Sequence, residues 1–94
     1  MDLIVTDQRT HKIAAALSNE VRQRILEVLG SREMTAKQVH ESIHGVKYRD
    51  TIFRHLELLK EVGILSKHYD DKTKQLKYRI IIDIITIRLL KSQN

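Results

Sequence analysis

The sequence predicts a mainly α-helical domain carrying one small β-hairpin, in the order α-α-(β)-α-α-β-β-α. Three observations predict it. Apolar residues recur at helical spacing through most of the first two-thirds of the chain. Gly30, Gly45 and Gly63 fall where those periodic runs stop. After Gly63 the period changes to alternation, broken by the turn-forming residues 70–73.

The first helix is expected from a cap at Thr6 or Asp7 through Gln8, His11 and Ile13 to about Leu17, with residues 13–17 apolar nearly all round. Ser18 or Asn19 starts the second, where Val21, Ile25, Val28 and Leu29 line one face and Gly30 ends the run. Residues 32–34 read as a short strand or extended link. Thr35 followed by Gln38 is a capping-box pair, in which a hydroxyl and a side-chain amide satisfy two backbone donors at a helix start. Ala36, Val39 and Ile43 share the next helical face, and Gly45 is expected to end it. A tight turn then leads to a helix over about residues 49–62, burying Ile52, Leu56, Leu59 and Val62 and stopping at Gly63, with Ile64 packing back on Leu59.

The alternation beyond Gly63 predicts a hairpin with a charged tip. Leu65 and Tyr69 lie on one side. Leu76, Tyr78 and Ile80 share a face, and Lys77 and Arg79 take the other. In the tail, IIIDIITIRLLKSQN, Asp83 can cap a final helix from Ile84 to about Ser92.

Two helices on a tight turn, the second offering Arg49, Asp50, Thr51, Phe53 and Arg54 to solvent, have the geometry of a helix-turn-helix reader of the DNA major groove. A hairpin straight after such a motif is a wing. The whole is then a single winged helix-turn-helix domain over residues 1–94. Charge placement agrees: residues 1–45 carry six basic and six acidic side chains, residues 46–79 nine basic and five acidic, within a net charge of +5.

With no cysteine, neither a disulfide framework nor a thiolate metal site can exist, and an intracellular protein is expected. No stretch approaches the roughly 20 apolar residues of a membrane span. His40 and His44 have a spacing that two imidazoles can share on a metal, but no third ligand is near and no metal or cofactor is expected. Paired carboxylates in an apolar setting, a glycine-rich phosphate loop and a hydroxyl nucleophile beside a base are all missing, so the chain does not read as an enzyme.

The candidate DNA contacts are Lys47, Tyr48, Arg49, Thr51, Phe53 and Arg54 on the turn and helix, with Lys67, Lys72, Lys74 and Lys77 as phosphate contacts on the wing. Arg54 can bond guanine in bidentate fashion or clamp a phosphate, or else pair with Glu57 or Asp50 on the surface. Thr51 touches phosphate or caps its helix. Tyr48 bonds phosphate or packs the turn. Phe53 meets a thymine methyl or folds back onto the wing, and His55 reads as a buried or capping side chain. A small domain has no evident second core for the apolar residues at its two ends. Ile13 and Leu17, with Ile84, Ile85, Leu89 and Leu90, are therefore expected to form a homodimer interface.

Three stretches resemble the ArsR-like winged helix-turn-helix regulators. LSNEVRQRIL, residues 17–26, is similar to the family's LSxPxRxxIL opening, with Glu20 where proline is usual. DTIFRHLELLKEVGIL, residues 50–65, is similar to STVSRHLxxLxxAGLV, and YRI, residues 78–80, to the YYRL that ends the wing. Small winged helices of archaea and their viruses share the pattern. The resemblance implies a homodimer, joined through its first and last helices, that binds double-stranded DNA at a two-fold operator as a transcriptional regulator. Two departures stand out. The cysteine pair and the carboxylate and histidine ligands of the family's metal sensors are absent. Phe53 replaces a small hydroxyl residue, and one extra residue lies between Gly45 and Thr51. A non-specific architectural DNA-binding protein and a winged-helix protein-interaction module remain as alternatives.

Overall fold

The computed structural model describes residues 8–82. In chain order the elements are α1 (Gln8–Leu17), α2 (Glu20–Leu29), α3 (Ala36–Ser42), α4 (Arg49–Glu61), β1 (Leu65–Asp70) and β2 (Gln75–Ile80). The caps expected at Thr6 or Asp7 and the helix expected from Ile84 to Ser92 lie outside the described residues.

The junction of α1 and α2 shows how local chemistry sets the path of the chain. The side chain of Asn19 accepts the Arg22 backbone N–H at 3.0 Å and caps α2. The last carbonyls of α1, which have no partner within their own helix, accept from the next one: Arg22 Nη1 donates to Ala16 O at 3.1 Å and Gln23 Nε2 to Leu17 O at 2.6 Å. The polar side chains at the start of α2 thus hold the two helices at a fixed angle.

At α3 the capping box is complete. Thr35 Oγ1 accepts from Gln38 N at 3.1 Å, and Gln38 Oε1 accepts from Thr35 N at 2.9 Å. The helix ends earlier than Gly45 leads one to expect. Ile43 adopts an extended backbone and turns its side chain into the core. Gly45, at φ 90°, shapes the turn beyond. Two polar contacts hold that turn: His40 Nε2 meets Val46 O at 2.8 Å and Arg24 Nη1 donates to His44 O at 2.9 Å.

The end of α4 is as the sequence predicts. Gly63 N–H donates to Lys60 O and Ile64 N–H to Leu59 O, each at 3.0 Å, the paired bonds of a Schellman ending, with Gly63 at φ 89°. That reversal points β1 back along α4. The hairpin pairs Leu65 with Ile80, Lys67 with Tyr78 and Tyr69 with Leu76 in antiparallel register. The link before Thr35 joins it through one bridge, in which Met34 and Tyr78 exchange backbone bonds of 3.0 and 2.8 Å.

One core unites these elements. Ile25 and Leu29 of α2, Val39 of α3, Ile52, Leu56 and Leu59 of α4, and Ile64 are all fully buried, each such aliphatic side chain contributing roughly 1.5–3 kcal/mol by leaving water. Ile13, at 5% exposure, and Leu17, at 1%, belong to the same cluster. This corrects the premise that residues 13–17 lack a use within the chain, because α1 spends its apolar face on its own core. Its exposed positions include Gln8, His11, Lys12 and Ala15.

Candidate nucleic-acid interface

The core stripe of α4 decides what the helix shows to solvent. With Ile52 and Leu56 turned inward, Arg49, Asp50, Thr51, Phe53 and Arg54 are exposed, and Lys47 and Tyr48 precede them on the turn. Tyr48 is the N-cap residue and makes no side-chain cap bond; the residue is 62% exposed, with Lys47 Nζ 5.3 Å from its ring centroid. Thr51 does not cap α4, since the helix begins two residues earlier. Arg54 Nη2 lies 3.0 Å from Asp50 Oδ2 one turn back, with 80% of the arginine side chain still exposed. So exposed an i,i+4 pair contributes roughly 0.3–0.5 kcal/mol, and an incoming anion can displace Asp50 at small cost.

On the wing the four expected phosphate contacts separate into two kinds. Lys72 and Lys74 stand exposed in the loop at the tip and make no ion pair among the described residues. Lys67 and Lys77 are half-buried and paired within the fold. Lys77 Nζ is 2.9 Å from Asp70 Oδ2. Asp70 also builds the loop, accepting from the backbone N–H of Lys72 at 2.9 Å and of Thr73 at 3.4 Å. Lys77 first, and then the Lys72 N–H, hold its carboxyl down at about 2. Lys74, at φ 61°, takes the left-handed position that closes the loop.

Lys67 lies between the wing and α4. Its Nζ is 2.9 Å from Glu57 Oε2 and sits 5.3 Å from the ring centroid of Phe53 and 5.6 Å from that of Tyr78. Glu57 is the hub of this contact, since it also accepts from Lys60 Nζ at 2.8 Å and from the Tyr78 hydroxyl at 2.5 Å. Lys60, then Tyr78 and Lys67, hold its carboxyl down at about 2 against the opposing effect of burial. The same burial and the bond to Glu57 push the Tyr78 phenol up. The cluster fastens the base of the wing to the middle of α4. Periodicity placed Lys67 and Glu57 on separate elements and carried no sign that they meet.

His55 is part of the packing. Its Nδ1 accepts from Arg22 Nε at 3.2 Å, and burial first, then the Arg22 charge, lower its pKa. His40 is turned onto the Val46 carbonyl, and among the described residues no three side chains of metal-binding type come together. No helix among them is long and apolar enough to cross a membrane.

Between α4 and the wing runs an open groove of 590 Å³. It is lined by Arg49, Asp50 and Phe53 of α4, by Gln75 and Leu76 of β2, and by Thr35, Ala36 and Lys37 at the start of α3. Lys37 and Leu76 were not among the residues picked from the sequence. Alternation put Leu76 on the core side of the hairpin, which is its true side, but the hairpin is longer than the core is wide. Tyr78 is 1% exposed while Leu76 and its cross-strand partner Tyr69 are 51% and 53% exposed.

No family model and no curated protein matches the sequence. Solved structures do resemble it. An ArsR-like transcriptional regulator from Rhodococcus sp. RHA1 superimposes with a TM-score of 0.73 at 22% identity, over 92% of this chain and 76% of that one. The reduced form of HlyU from Vibrio cholerae gives 0.70 at 15% identity, over 90% and 84%. The transcriptional repressor BigR from Xylella fastidiosa gives 0.66 at 22%, over 87% and 79%. At such identities the likeness is one of architecture, and the chain has the winged helix-turn-helix fold that these regulators share.

Proposed function

We propose that this protein is an intracellular transcriptional regulator that binds duplex DNA as a homodimer, with α4 in the major groove and the wing along the backbone or minor groove. One observation carries the reading. Lys47, Arg49 and Arg54 at the start of α4, and Lys72 and Lys74 on the wing tip, are exposed cations on the two elements that a winged helix lays on DNA, while the lysines between them are neutralised within the fold. The structures it resembles include proteins named as transcriptional regulators, which supports the same reading.

The test is fluorescence anisotropy with random-sequence duplex over a salt series. Affinity is expected to fall steeply with salt as counterions are released from phosphates; a flat response overturns the proposal. Selection of bound sequences from a random library then separates a sequence-specific regulator from an architectural protein. With Ile13 and Leu17 committed to the core, the proposed dimer rests on Ile84, Ile85, Leu89 and Leu90. Leu89→Asp with Leu90→Asp is expected to lower the mass measured by light scattering to that of a monomer and to abolish tight binding to a two-fold site.

A second reading, a winged helix that binds protein, is favoured by the apolar lining of the groove between α4 and the wing. Absence of duplex binding at low salt would move it ahead.

A further inference from the structure

The groove beside α4 is apolar in the middle of a surface otherwise rich in charge. Phe53 adjoins Ile52 in sequence but lies outside the buried core that Ile52, Leu56 and Leu59 join, and the residue stays 40% exposed. It is not left loose. The Lys67 ammonium lies over the ring, 5.3 Å from its centroid, and is itself held by Glu57. Phe53 therefore meets whatever enters the groove with part of its rotamer freedom already spent. Leu76 and Ala36 share the apolar part of the lining with it, and Lys37 and Arg49 add positive charge to the same lining. Asp50, the acid on the lining, pairs with Arg54 at 3.0 Å.

This apolar lining is small, and Arg49, Asp50 and Phe53 make it continuous with the face proposed for DNA. Its basic rim suits phosphate strands. The apolar group that the major-groove edge of a base pair displays is the 5-methyl of thymine. We infer that this groove reads thymine through that methyl, with Phe53 the contacting residue and Leu76 a second apolar side chain of the lining. The inference rests on the DNA-binding reading and adds to it a base preference made without hydrogen bonds.

The experiment takes the tightest duplex selected from a random library and compares it with the same duplex in which every thymine is replaced by deoxyuridine. With the unaltered protein, loss of the methyls should weaken binding about fourfold for each methyl contacted, the equivalent of one buried methyl group. Phe53→Ala should bind the two duplexes equally, while Phe53→Leu should keep part of the preference; circular dichroism checks that both variants fold. Equal binding of the two duplexes by the unaltered protein, with a steep salt dependence intact, overturns the inference and leaves the DNA-binding reading standing. A thymine preference that survives Phe53→Ala overturns the assignment to this groove. If no duplex is bound at low salt, both readings fall.

Discussion

Lys67 and Lys77 stand on the strands of the hairpin, Lys72 and Lys74 in the loop that joins them, and the two pairs have opposite fates. The strand lysines keep 23% and 15% of their side-chain surface and lie 2.9 Å from Glu57 and Asp70. The loop lysines are exposed and unpaired among the described residues. All four carry the same charge within a short stretch of chain. What separates them is whether a carboxylate on another element or across the hairpin reaches them. A lysine count on a wing therefore overstates the charge available to a partner, and enclosed lysines act instead on stability and on the angle of the wing.

The largest effect expected from breaking that contrast is at Glu57. Glu57→Gln removes the charge on which Lys60, Lys67 and Tyr78 converge, and should cost about 2–3 kcal/mol in urea unfolding, as loss of hydrogen bonds to a charged group does. The pH dependence should agree in sign. The carboxyl is held at about 2 in the folded state against an ordinary 4.5, so its stabilisation is fully present above 4.5 and lost as the pH falls towards 2. The variant should show a flatter acid limb. An unchanged limb would show that the cluster does not hold the wing.

Next in size is Arg54. Arg54→Ala should relax preference at one base position and cost roughly 1–3 kcal/mol in binding if the contact is bidentate. Asp50→Asn should do the reverse and tighten binding in an anisotropy titration, because it releases Arg54 from its 3.0 Å partner and removes a negative charge from the face. If neither change alters affinity or the selected sequence, α4 is not the reading helix.

The comparison of the four lysines is sharpened by two double variants. Lys72→Gln with Lys74→Gln should leave the melting temperature unchanged, lower affinity about equally for all duplexes and reduce the salt slope by about two. Lys67→Gln with Lys77→Gln should lower the melting temperature and leave the salt slope nearly as it was. The opposite pattern would mean that the strand lysines leave their carboxylates on binding DNA.

The smallest effect expected is at His55. Its folded-state pKa lies below the ordinary 6.5, because burial and Arg22 disfavour the charged ring. The folded state then binds fewer protons than the unfolded one, so stability should decrease as the pH falls through 6.5. His55→Asn should remove that step from the pH dependence of urea unfolding.

Where a structural cue is local, the sequence alone carried it. The Thr35 and Gln38 cap, the cap at Ser18 or Asn19, which falls on Asn19, the Gly63 ending and the hairpin, whose tip lies at residues 71–74, one position on from the expected 70–73, each depend on residues a few positions apart, and backbone hydrogen bonding and conformational preference act at that range. Periodicity likewise marked Ile52, Leu56 and Leu59 as buried, and so marked what α4 exposes. The division of the lysines is not local. Glu57 and Lys67 are ten residues apart and meet because the Gly63 reversal folds β1 along α4. The early end of α3 at Ile43 and the burial of Ile13 and Leu17 depend on how the helices pack. The exposure of Leu76 depends on how far the hairpin outruns the core. Each of these follows from three-dimensional distances between elements, a quantity that composition and spacing along the chain do not contain.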